Sequence, residues 1–222
     1  MTFNSSEAFS QKKTALLLKT LILLDLVFVA NHLLNFYTHY LSNPLFSLKE
    51  DMGYAEIYGY FKWLGIVILL ISLSKNLDNR RYLSWGLLFA YLLCDDAFSI
   101  HEKLGYHIST FLEITFLGLN QQDSGELVFF AVIGTIITGW LLYNYIMGGK
   151  IFRKFSIHLF LLFAVLIFFG VCVDITGTLL RPYPGIYPLV GIIEDGGELV
   201  TASFILVYIF SWLPSNYLLV PM

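Results

Sequence analysis

This chain of 222 residues is 57% hydrophobic and only 13% charged, with a mean hydropathy of +0.72 and a formal net charge of −3. That balance excludes a soluble globular domain, and the lack of a basic stripe or phosphate loop excludes nucleic acid as a partner. The two cysteines, Cys94 and Cys172, both lie in apolar stretches, which excludes a disulfide framework.

A bilayer core needs about 20 mostly apolar residues per helix, and six stretches qualify. The first, 14–38, follows Lys12 and Lys13, carries Lys19 at its inner end, and holds Asp25 and His32 within its apolar run. With those charges, and its length, it does not read as a cleaved signal peptide. Glu50 and Asp51 lead to the second stretch, 55–75, which opens on Glu56 and contains Lys62. Lys62 is the deepest cation and is expected to neutralise a facing Asp25 or Asp96. Lys75, Arg80 and Arg81 precede the third stretch, 82–105, which holds Asp95-Asp96 and His101-Glu102.

Glu113 and Asp123 precede the fourth, 125–147, with Glu126 at its start. Lys150, Arg153 and Lys154 lead to the fifth, 156–180, which carries Asp174. The turn Arg181-Pro-Tyr-Pro-Gly185 is expected to be a rigid external cap before the sixth, 190–212, with Glu194, Asp195 and Glu198. His39 and His107 are expected at helix ends in the interface. The aromatic residues, Tyr60 and Trp63 among them, read as interfacial belt and packing.

Basic loops stay cytoplasmic. Nine of the thirteen Lys and Arg then fall inside, and fourteen of the sixteen carboxylates fall outside or within the membrane. The expected localisation is the cell (inner) membrane, multi-pass, with both termini cytoplasmic.

The pattern also repeats. Asp123-Ser-Gly-Glu-Leu-Val128 recurs as Asp195-Gly-Gly-Glu-Leu-Val200, and Asp25-Leu-Val-Phe28 aligns with Asp95-Asp-Ala-Phe98, each at a spacing of about 70 residues. The predicted fold is an all-α integral membrane protein. It has one domain, 1–222, of three similarly oriented helical hairpins (about 14–75, 82–147 and 156–212) around a pseudo-threefold axis. Each hairpin carries an Asp in its outgoing helix (Asp25, Asp95, Asp174) and a Glu where the chain returns (Glu56, Glu126, Glu198).

Positions seven apart on a helix lie about 20° from one line and roughly 10.5 Å apart along the axis. That relation links the three Asp residues to His32, Glu102 and Arg181, which predicts two ionisable layers. Ionised carboxylates at membrane depth are costly unless something uses them. Carboxylate plus imidazole is a ligand set for divalent metals. The candidate ligands are Asp25, His32, Asp95, His101, Glu102, Asp174, Glu56, Glu126 and Glu198, for Zn, Mn, Fe or Ca. Asp96, His101 and Glu102 are the candidate catalytic groups. For Glu126 and Glu198, N-capping through Asp123 and Asp195 is the competing explanation.

The function expected on this reading is a divalent-metal-dependent membrane enzyme acting on a lipid or lipid-soluble substrate from the outer leaflet. A proton- or cation-coupled transporter and a non-catalytic subunit of a membrane complex are the alternatives.

Overall fold

The computed structural model describes residues 5–38, 41, 43–113, 115, 119–180 and 186–213. His39 and the turn 181–185, Arg181 included, lie outside the described residues. Those that are described are almost wholly helical, with no strand among them.

The chain runs through α1 (Ser5–Thr38), a 3-10 turn at Pro44–Phe46, α2 (Tyr54–Asn76), α3 (Tyr82–Phe98) and α4 (Ile100–Leu112). It continues through α5 (Gln121–Met147), α6 (Lys150–Ile167), a π-helical turn at Phe168–Val173, α7 (Asp174–Leu179) and α8 (Tyr187–Ser211). Four segments are long and apolar enough to cross a membrane: Gln11–Thr38, Tyr54–Asn76, Gln121–Met147 and Lys150–Leu179. The pair α3 and α4, bent by 75°, makes a fifth if it counts as one span. α8 is as long, but Glu194, Asp195 and Glu198 set it apart from these.

The residues sort inside out, as a bilayer demands. Leu16, Leu23, Ile136, Ile151 and Leu161 are exposed, whereas Asp25, Lys62, Ser124, Ser156 and Ser203 are buried. Without water, polar side chains must find partners between helices and apolar ones can face lipid.

α8 is the central element, packed on α1, α2, α6, the π turn and α7. α2 packs on α3, and α4 on α5. Neither Gly105 on α4 nor Gly125 on α5 leaves room for a β-carbon where those two helices meet. α1 leans on α8 rather than extensively on α2, a departure from simple side-by-side hairpins.

One apolar cluster fills the space between α2, α3, α6 and α8, built on Ile66, Leu70, Phe89, Phe155, Leu159 and Ile205. Its polar atoms are matched: Trp85 Nε1–H donates to Ser156 Oγ at 3.1 Å, and Tyr208 O–H to the Phe155 carbonyl at 2.9 Å.

The sequence reading of 82–105 as one straight helix is corrected. Ser99 adopts φ 47° and ψ 50°, a left-handed conformation that ends α3 and redirects the chain into α4. The reading of 156–180 is also refined, because this helix starts at Lys150 and contains the π turn.

Candidate functional site

Asp25 and Lys62 meet in a dry environment between α1, α2 and α8. Lys62 Nζ lies 2.5 Å from Asp25 Oδ1, donates to the Leu199 carbonyl at 2.7 Å, and sits 4.2 Å from the Tyr58 ring centroid. Ser203 O–H donates to Asp25 Oδ2 at 2.7 Å. The expected neutralisation of Asp25 by Lys62 is therefore present. The same contact removes Asp25 from the expected metal ligands, since its oxygens are already engaged by an ammonium and a hydroxyl.

His32 is also removed from that set. Its Nδ1 accepts from Leu48 N–H at 3.1 Å and lies 3.2 Å from Ser47 Oγ, so the ring pins the α1–α2 loop.

The break at Ser99 frees backbone N–H groups at the start of α4, which need acceptors. Asp95 supplies them: Oδ1 accepts from His101 N–H at 2.9 Å, and Oδ2 lies 3.1 Å from His101 Nδ1. Asp95 thus serves the helix break rather than a metal. Because its carboxylate accepts, Nδ1 carries the ring proton and Nε2 is left as the basic nitrogen. The imidazole packs against Phe130, with centroids 5.1 Å apart.

A cavity of about 230 Å³ lies between the α1–α2 loop, α2, the α3–α4 break and α8. Seven carboxylates border it: Glu50, Asp51, Glu56, Asp96, Glu102, Asp195 and Glu198. Among the described residues, Lys49 and His101 are the only basic side chains in its lining.

Two of the acids are held firmly. Tyr60 O–H donates to Glu56 Oε1 at 2.6 Å, while Glu56 Oε2 accepts from Met52 N–H ahead of α2. Trp63 Nε1–H donates to Asp96 Oδ2 at 3.0 Å. Tyr60 and Trp63 were read from sequence as belt and packing; they are instead the donors that orient the acids.

The acids of α8 are less matched. Asp195 Oδ2 is buried without a hydrogen-bond partner. Glu198 lies within electrostatic reach of Asp96, Asp174, Glu194 and Asp195, and among the described residues nothing donates to it. Its carboxylate lies where a β-carbon on Gly170 would be. Gly170 belongs to the π turn, a local widening that often marks functional positions.

The capping explanation for Glu126 and Glu198 is corrected. Asn120 caps α5, its Oδ1 accepting from Asp123 N–H at 2.8 Å, and α8 begins at Tyr187, about two turns before Asp195. Glu126 accepts from Gln122 Nε2 at 2.9 Å and borders, with Asp174, a second cavity of about 20 Å³.

The two ionisable layers expected from sequence do not form one ligand set. Asp25 is paired, Asp95 caps, Asp174 is exposed beside the small cavity, and His32 holds a loop. Glu56, Asp96, His101, Glu102 and Glu198 do share the larger cavity. Among the described residues, no three His, Cys, Asp or Glu side chains are placed to hold a metal ion directly.

The sequence reading missed Lys49. The available signal was its position as a lone cation in an otherwise acidic outer loop.

No curated protein and no solved structure matches the chain. Residues 20–212 match the model of the family described as "Domain of unknown function (DUF8692)", and the chain belongs to that family.

Proposed function

We propose that this is a six-span membrane protein whose acid-lined cavity holds a divalent cation through its water shell and works on a lipid or lipid-soluble substrate. The six spans are α1, α2, the bent pair α3–α4, α5, the α6–α7 segment and α8. They form three hairpins of like orientation in the cell (inner) membrane, with both termini cytoplasmic and the cavity in the outer half. Arg80 and Arg81 in the loop after α2, with Lys150, Arg153 and Lys154 in the first turns of α6, support that orientation.

The observation that carries the reading is the cavity lining, with seven carboxylates against one lysine and one histidine. So much like charge at membrane depth is tolerable when a cation shares the space. The donors are oxygen-rich, which suits Mg, Mn or Ca. Their spacing speaks against a closed Zn or Fe site, since those need three or four ligands at one point. Mg-type ions keep several waters and need only one or two carboxylates. Asp96, held by Trp63 through one oxygen only, and Glu198, to which nothing among the described residues donates, supply those contacts.

A divalent cation bound there supplies charge stabilisation and a more acidic water. The rest is done by the chain. Asp95 fixes the His101 tautomer so that Nε2 can take a proton, and Glu102, exposed at the cavity edge, can carry it to solvent.

A transporter would need a polar route onward. Trp63 and Ala202 border the cavity and also belong to the packed apolar cluster of α2, α3, α6 and α8. That packing favours chemistry on one side over transport.

The test is calorimetric titration of nanodisc-embedded protein with Mn²⁺, together with ion flux in liposomes. The reading expects a Kd of about 10 μM to 1 mM, in the range of oxygen-ligand sites, and flux at background. Absence of binding, or cation flux above empty liposomes, would overturn it.

A further inference from the structure

The segment from Asn43 to Asp51 joins α1 to α2 and walls the acid cavity through Leu48, Lys49, Glu50 and Asp51. It is tied at both ends. On the α1 side, Asn35 Nδ2–H donates to the Asn43 carbonyl at 3.0 Å. On the α2 side, Gly53 N–H donates to the Glu50 carbonyl at 2.9 Å, and Met52 turns the chain in a left-handed conformation, φ 57°. His32 grips the middle. Its Nδ1 accepts from Leu48 N–H at 3.1 Å and lies 3.2 Å from Ser47 Oγ. His32 is 5% exposed and Leu48 8%, so the contact is dry.

That contact fixes the state of the ring. The Leu48 amide needs a lone pair on Nδ1, so the closed segment accepts His32 only as the neutral tautomer with hydrogen on Nε2. An imidazolium carries hydrogen on both nitrogens. It sets two donors against each other and strips the buried Leu48 amide of its acceptor. The charged groups on the elements around the ring are Lys49, Glu50 and Asp51 in the loop, Glu56 on α2, and Asp195 and Glu198 on α8, all bordering the cavity. Among them, Lys49 acts electrostatically on the ring.

We propose that residues 43–51 form a lid on the cavity and that His32 is its pH latch, shut while Nδ1 is free to accept and released when the ring takes a proton. Release lifts Leu48 from Leu199 of α8, against which it packs, and opens the cavity to the outer solution. In the open position the ring meets water and titrates near the ordinary value of about 6.5. The open state binds one proton that the closed state does not. The closed lid is therefore fully favoured above about pH 6.5 and is lost as pH falls below it. This inference concerns access to the cavity and holds whatever the cavity binds.

The experiment is hydrogen–deuterium exchange of the full chain in nanodiscs without divalent cation, following peptides over residues 43–51. Rates are corrected for the intrinsic pH dependence of amide exchange. Between about pH 7.5 and about pH 5, wild-type protection of the lid should fall at least tenfold, since each unit below about pH 6.5 multiplies the opening constant by about ten. His32→Asn puts a neutral amide oxygen where Nδ1 stood, so the lid should stay protected at both pH values. His32→Phe removes the acceptor and should leave the lid weakly protected at both. Peptides from α6 should keep their protection throughout.

Wild-type protection that is flat with pH overturns the latch, as does an acid-induced loss that persists in His32→Asn. A loss shared equally by α6 is acid unfolding and also overturns it. Wild-type protection in His32→Phe at the higher pH does the same. Each of these outcomes leaves the proposed cation binding standing, because no cation enters the measurement.

Discussion

Lys62 on α2 and Asp25 on α1 are joined across 2.5 Å, with side chains 1% and 0% exposed. Asp25 is held in turn by Ser203 of α8, and Lys62 by the Leu199 carbonyl of the same helix. The pair therefore ties three helices together, with α8 anchored to α2 at Leu199, one residue beyond Glu198, and to α1 at Ser203, one turn further on.

Breaking this pair from one side leaves an uncompensated buried charge. Lys62→Met should destabilise the protein by about 3–5 kcal/mol, whereas Lys62→Met with Asp25→Asn should recover much of the loss. Thermal unfolding in detergent, run as a double-mutant cycle, measures this. Equal destabilisation by the single and double variants would remove the ionic lock from the account.

The α4–α5 contact depends on two glycines. Gly125→Ala forces a β-carbon toward the Gly105 carbonyl and the Ser109 side chain, and overpacking of this kind costs about 1–3 kcal/mol. A lowered midpoint of thermal unfolding should follow. The matched change Gly139→Ala, which meets open space, should leave the midpoint unchanged.

Much of this architecture was legible in the chain. Apolar run length marks the helices, and a lysine six residues beyond Glu56 needs an acid partner, as Lys62 finds in Asp25. The Ser99 break was not legible, because Ser is no helix breaker and the left-handed turn goes with a side-chain contact, the Asp95 carboxylate receiving the His101 amide. Helical spacing grouped Asp25, Asp95 and Asp174, yet Asp25 falls well inside α1, Asp95 near the end of α3 and Asp174 at the start of α7. It could not give the neighbours that consume each one, which come from packing between helices far apart in sequence. The cavity acids were named from sequence; Tyr60 holds Glu56 from one turn on in the same helix, whereas the orientation of Asp96 by Trp63 depends on α2 facing α3.

Gly170 gives Glu198 its room. Gly170→Ala places a methyl group against the Glu198 carboxylate and should weaken Mn²⁺ binding about threefold or more while the protein still folds, since about 0.7 kcal/mol is enough for that factor. Titration alongside thermal unfolding separates the two effects. Unchanged affinity would mean that Glu198 takes no part in the site.

Orientation is open to labelling. Asp78 and Gln121 are both exposed and should lie on opposite sides of the membrane, with Asp78 cytoplasmic. Single cysteines at these positions, in a background lacking Cys94 and Cys172, can be probed with an impermeant maleimide on whole cells. Only Gln121→Cys should react. Reaction of both would end the six-span arrangement.

The central claim is that the acids of the larger cavity hold a cation and that Asp25 does not. Mn²⁺ titration of Asp96→Asn and Asp25→Asn in nanodiscs tests it most directly. Asp96 borders the cavity with one oxygen held by Trp63, and the asparagine keeps its shape but not its charge. The account predicts at least a tenfold loss of affinity for Asp96→Asn, about 1.4 kcal/mol, and wild-type affinity for folded Asp25→Asn. Undiminished binding by Asp96→Asn, or a larger loss from Asp25→Asn, would contradict it.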